Sequence, residues 1–93
     1  MQEKIRRHYI FEGRVQGVGF RYRASYAARS LGLSGWVRNC ADGTVEMEVQ
    51  GSEVQVNKML SFIQQDHYIR IDQLHASNLI IKNNEYGFHV KGY

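Results

Sequence analysis

Three observations predict an α+β sandwich of the split βαβ type. Apolar and polar residues alternate in several separate stretches, as they do in strands with one buried face. Two further stretches, one in each half of the chain, repeat apolar residues at helical spacing. The elements run strand, helix, strand, strand, helix, strand, so the chain consists of two strand–helix–strand halves. An antiparallel sheet covered on one face by two helices satisfies that order, and this is the ferredoxin-like arrangement. With 93 residues the expectation is a single domain over 1–93.

Each element has its own signal. In "HYIFEG" (8–13) Tyr9 and Phe11 lie on one face, with His8, Ile10 and Glu12 on the other. The next stretch, Gly13 to Gly19 within "GRVQGVGFR" (13–21), is too rich in glycine for a regular element and is read as a loop. From Phe20 onward, Phe20, Ala24, Ala27, Ala28 and Leu31 form a helical stripe, and Gly32 is a suitable stop. "SGWVRNCADGTVEMEVQG" (34–51) predicts a hairpin turning at Asp42-Gly43. Its returning strand points Val45, Met47 and Val49 to the core and Glu46 and Glu48 to water. Ser52 and Gln55 have capping-box spacing, and Val56, Met59, Leu60 and Ile63 form the second helical stripe. A fourth strand lies within "IRIDQLHASNLII", where imperfect alternation predicts a bulge. After a turn at "KNNEYG", the alternation of Tyr86, Phe88 and Val90 allows a short fifth strand.

Composition narrows the function classes. No apolar run approaches the ~20 residues that span a bilayer, so no membrane association is expected. The N-terminal stretch has no long apolar segment of the secretory kind. Cys40 is the only cysteine, so no disulfide can form within the chain, and a cytoplasmic location is expected. The net charge of +3 suits an anionic partner without choosing between a small phosphate compound and nucleic acid.

The glycine loop joins a strand to a helix start, where the first amides lack partners within the helix and the dipole adds positive charge. The backbone amides of Gln16, Gly17, Val18 and Gly19 can curl into a nest for phosphate oxygens. Arg21 in the first turn opposes the dipole, a misfit that an anion held between them would resolve. Its planar fork can bind two oxygens at once. A tight turn beside an exposed arginine is the plainer alternative. The loop is not a P-loop, since G-x-x-x-x-G-K-[ST] is absent, and "GVGFRY" lacks the last glycine of G-x-G-x-x-G. In "GWVRN" Asn39 shares the core face with Val37 at a strand end. A polar amide there either caps a neighbouring turn or holds a water near the loop.

Together, "GRVQGVGFR" and "GWVRNCADGTVEMEVQG", separated by one helix, resemble both signature motifs of the acylphosphatase family. The resemblance extends over nearly the whole chain. It implies the ferredoxin-like fold and the hydrolysis of acyl phosphates to a carboxylate and inorganic phosphate, with no metal or other cofactor. It also implies that Arg21 binds the phosphate, that the amides of Gln16 to Phe20 assist it, and that Asn39 positions the attacking water. The leaving group is a carboxylate, which departs without a proton, so a site without a histidine or carboxylate in either motif is consistent with this chemistry. A monomer acting on a small-molecule acyl phosphate is the implied form. The sequence departs from the family pattern at Ser52, where proline is frequent, and at "QDHYIRID" (65–72), both away from Arg21 and Asn39.

Other conspicuous residues are read as structural. His8, His67, His75 and His89 lack metal-ligand spacing. Cys40 points away from the face of Asn39 as a half-buried thiol, and Trp36 packs on the open sheet face or at the cleft rim. Tyr22 and Tyr26, four residues apart, are expected to stack along their helix. A ferredoxin-like RNA-binding module is the competing class. Against it, the RNP-type aromatic motif is absent, and Glu12, Glu46 and Glu48 make the open face acidic. An acylphosphatase-like anion sensor without turnover is the third reading.

Overall fold

A computed structural model describes residues 3–92. Its elements are β1 (Lys4–Arg14), α1 (Phe20–Ser30), β2 (Ser34–Asn39), β3 (Val45–Ser52), α2 (Glu53–Gln64), β4 (Arg70–Leu79) and β5 (Phe88–Val90). The strands form one sheet in the order β4-β1-β3-β2-β5. The four longer strands pair antiparallel, as the split βαβ pattern predicts. The sheet as a whole is mixed, because β5 runs parallel to β2, pairing Gly35 with Phe88 and Val37 with Val90. A strand that follows the last helix–strand unit can add to that edge only in the direction in which the chain returns.

The alternation places Tyr9, Phe11, Val37, Val45, Met47 and Val49 on one face, where each is fully or almost fully buried. Phe20, Ala24, Ala27 and Ala28 of α1, with Val56, Met59 and Ile63 of α2, close over them. Phe20 at the first position of α1 meets the Phe11 ring at a centroid distance of 4.8 Å. Burying such a side chain is worth about 2–3 kcal/mol, and here it also pins the helix start to β1. The C-terminus of α1 ends as predicted: Gly32 takes φ 69°, and the Leu33 amide donates back to the Ala28 carbonyl at 2.9 Å. Gly35 tolerates no other residue, because a Cβ there would lie 2.0 Å from the Glu48 carbonyl oxygen.

Several expectations shift in detail. β1 begins at Lys4, four residues before the alternation in "HYIFEG" becomes visible. The cause is Arg6, which is only 2 % exposed although it stands on the face away from the helices. It donates to Glu48 at 2.8 Å, Glu85 at 2.7 Å and Gln50 at 3.1 Å, and the chain around Glu85 folds over it. The predicted bulge lies in the β1–β4 pairing between Glu12 and Gly13. Tyr86 falls outside β5 and is exposed. Tyr26 does not stack on Tyr22: its ring lies against Phe62 of α2, with centroids 5.9 Å apart. Trp36 takes the open sheet face, with the Lys91 ammonium 4.2 Å from its ring centre.

Candidate active site

Residues 15–19 link β1 to α1, and their backbone is shaped by glycine. Gly17 takes φ 73°, and Gly19 takes φ 80° as the residue preceding the helix. L-residues rarely adopt that left-handed region, so glycine at both positions lets the chain curl tightly. No side chain caps the start of α1, and its first turn holds no acidic residue. The first amides of the helix therefore meet the cleft with the positive end of the dipole behind them.

The loop is tethered from within. The Gln16 side chain donates one amide hydrogen to the Cys40 carbonyl at 2.7 Å and the other to the Thr44 carbonyl at 2.8 Å. Those carbonyls belong to the β2–β3 turn, which closes where the Cys40 amide meets the Thr44 carbonyl and Asp42 accepts from the Thr44 amide. Gln16 therefore holds the glycine loop against the turn that follows Asn39. This role is invisible in the motif, where Gln16 counts only for its backbone.

Asn39 ends β2 opposite Val45 and is 6 % exposed. It shares the helix-covered face with Val37, as its position two residues on requires. A cleft of about 480 Å³ brings Asn39 together with Gly17, Gly19, Phe20 and Arg21. Gln16 does not line this cleft, and Val18 lines a neighbouring hollow with Tyr26 and Phe62. Residues outside either motif also line the cleft, Ser25 and Arg29 among them. The signal of these two in the sequence is the 21, 25, 29 spacing, which sets them on successive turns of α1 on the side of Arg21.

The neighbouring arginines separate cleanly. Arg21 has no ion-pair partner among the described residues. Arg23 lies over the Phe62 ring at 3.9 Å, donates to the Phe62 carbonyl at 2.7 Å and approaches Asp66 at 3.6 Å. Arg14 lies at the exposed end of β1, opposite Arg70. Only Arg21 of the three lines the cleft. Among the described residues, no group of three or more histidines, cysteines or carboxylates is placed to hold a metal. Cys40 is half-buried and does not line the cleft.

Carboxylates cluster instead on the open sheet face. His8 and Arg38 both meet Glu46, at 2.7 and 2.6 Å, and His75 pairs with Glu12. The hydrogen bond from His8, followed by that from Arg38, holds the Glu46 carboxyl below its ordinary range. Arg6 does the same for Glu85. None of these acids lines the cleft around Arg21.

Among the described residues, every charged side chain that lines the cleft is thus positive, and Gly17 and Gly19 give part of its wall as bare backbone. In a ferredoxin-like sandwich this describes a protein that takes up a small anion. The chain is a member of the acylphosphatase family, whose profile matches residues 7–90. It is 42% identical over 84 residues to an acylphosphatase of Geobacillus kaustophilus, covering 89% of each chain. It is 39% identical over 79 residues to one of Clostridium acetobutylicum, covering 84% of this chain and 87% of the relative. The crystal structure of acylphosphatase from Bacillus subtilis superposes with a TM-score of 0.85 at 27% identity, over 94% of this chain and 98% of that one. The protein is therefore a hydrolase of acyl phosphates, releasing a carboxylate and inorganic phosphate. No helix among the described residues is long and apolar enough to cross a membrane.

Proposed function

We propose that Arg21 and the backbone amides of Gln16 to Phe20 hold the phosphoryl group of the substrate, and that Asn39 orients the attacking water. The supporting observation is the shared cleft: Arg21, which has no carboxylate partner among the described residues, and the strand-end asparagine line the same space as the glycine loop. Water attacks phosphorus, the bond from phosphorus to the acyl oxygen breaks, and the carboxylate leaves with the bonding electrons. The water proton passes to a phosphate oxygen, so neither a general acid nor a general base is drawn from the protein. Such a transfer depends on positioning and on stabilising charge on the phosphoryl oxygens. The guanidinium fork and the amides serve the second need, and Asn39 serves the first.

On this reading residues 1–93 act as one metal-independent domain, as a cytoplasmic monomer that uses a small-molecule acyl phosphate and has no nucleic-acid partner. The ion pairs on the open face favour this assignment over the RNA-binding alternative, since Arg6 and Arg38 already meet carboxylates there. The test is hydrolysis of benzoyl phosphate in the presence of a chelator, with inorganic phosphate as competitor. Steady turnover with competitive inhibition is expected. Turnover that disappears with the chelator and returns with a divalent cation would overturn the metal-free mechanism.

A further inference from the structure

The proposed hydrolytic step uses the backbone amide of Gln16 and leaves its side chain without a part. That side chain joins two elements far apart in the sequence. Gln16 itself belongs to the glycine loop, and its two acceptors flank the β2–β3 turn, which begins directly after Asn39. Nε2 carries two hydrogens, and both are used: one bond goes to the Cys40 carbonyl at 2.7 Å and the other to the Thr44 carbonyl at 2.8 Å. With the amide turned over, its oxygen would face two carbonyl oxygens, so the partners themselves fix the orientation.

A tether transmits position only when both of its anchors are stiff. At the turn, each acceptor carbonyl takes a second bond: Cys40 from the Gly43 amide at 3.2 Å, and Thr44 from the Cys40 amide at 2.9 Å. Asp42 Oδ1 accepts from the Thr44 amide at 3.0 Å and from the Thr44 hydroxyl at 2.7 Å, which locks the same turn again. At the loop, the chain sinks into the core at Val15 and at Phe20, so the residues between them form a short arch with fixed ends. Within the arch Gly17 and Gly19 contribute no side chain to packing. Gln16, half-buried at its start, ties the arch sideways to the turn.

We propose that Gln16 is a positioning residue for the hydrolysis: its side-chain amide holds the phosphate seat of the glycine loop in register with Asn39. It thereby fixes the line along which the attacking water meets phosphorus. This rests on the phosphoryl group being seated at the loop and Arg21, and on Asn39 orienting the water. In-line attack tolerates little displacement, and a shift of about 1 Å between reacting groups costs about a hundredfold in rate. A loop released from the turn keeps its curl, which its glycines set, and still binds phosphate. What it loses is the fixed distance to Asn39.

Gln16→Met keeps the length of the side chain and removes both donors. Its kcat for benzoyl phosphate is expected to fall about thirtyfold, with the inhibition constant of inorganic phosphate within about threefold of the original. In an Asn39→Ala background the same substitution is expected to cost less than about threefold in kcat, because the residue it serves is already gone. The proposal is overturned if kcat of Gln16→Met stays within about threefold of the original, if phosphate binding weakens as much as kcat falls, or if the losses of Gln16→Met and Asn39→Ala multiply in full. Gln16→Leu serves as a second variant without donors. Loss of the folded state by circular dichroism in both variants also overturns it, since that outcome places Gln16 in the support of the fold. If Asn39→Ala alone turned over as fast as the unaltered protein, the water role of Asn39 would fall, an outcome distinct from losses that multiply in full.

Discussion

The two helices of this sandwich occupy equivalent places in its two halves, yet they begin in opposite ways. α2 completes its own N-terminus: the Ser52 hydroxyl accepts from the Gln55 amide at 3.3 Å, and Glu53 lies in the first turn against the dipole. α1 has neither feature. It follows a glycine at φ 80°, lacks a side-chain cap and an acid in its first turn, and places Arg21 there instead. A serine cap is worth about 1 kcal/mol, and a cation at a helix N-terminus costs a few tenths to about 1 kcal/mol. α1 therefore forgoes stability that α2 retains. On the proposed reading, an anion from solution supplies at α1 what Ser52 and Glu53 supply at α2. The contrast shows that the sequence around a helix start reveals whether the chain satisfies that end itself or leaves it to a ligand.

The contrast can be broken at several points. The largest effect is expected for Arg21→Lys. It keeps the charge and the fold but replaces a bidentate fork with a point charge, and kcat/KM for benzoyl phosphate should fall about a thousandfold, or about 4 kcal/mol. Near-normal kinetics would remove Arg21 from the site. Asn39→Ala comes next, with a loss of about a hundredfold in kcat and little change in the inhibition constant of inorganic phosphate. Equal losses in both would mean that Asn39 shapes the phosphate seat rather than the water. Gly19→Asp transplants an acid of the α2 kind onto α1. A Cβ there meets nothing within 4 Å, and aspartate is among the L-residues best suited to left-handed backbone. The helix should persist by circular dichroism while phosphate binding weakens about tenfold through repulsion. Binding of undiminished strength would show that the helix start is not where the phosphate sits. Ser52→Ala is the smallest change. Unfolding titrations should show a loss of about 1 kcal/mol, with kcat/KM unaffected.

Much of this was legible because the signals are local. The glycine loop and the "GWVRN" strand end each declare a conformation through a few adjacent residues, and a helix of predictable length lies between them. That is why the positions of Arg21 and Asn39 could be anticipated. The tether from Gln16 to the β2–β3 turn could not, because its acceptors are backbone carbonyls, which every residue has. Arg29 stood in plain sight at helical spacing from Arg21. Its place in the cleft nevertheless depends on β5 lying beside α1 and offering the Phe88 carbonyl. Tyr26 shows the limit of spacing rules: four residues from Tyr22, it turns instead to Phe62 on the other helix.

By itself, the sequence determined the order of the elements, the two buried stripes, the hairpin turn at Asp42-Gly43 and the distinction between a capped and an uncapped helix start. All of these rest on periodicity and on the conformational limits of single residues. Only the tertiary structure decided that Arg6 is buried between two carboxylates, that the fifth strand runs parallel, and that Arg21 faces the cleft while Arg14 and Arg23 do not. Those outcomes depend on which distant segments meet. A charge looks the same along the chain whether its partner lies far off in the sequence or has to arrive from solution.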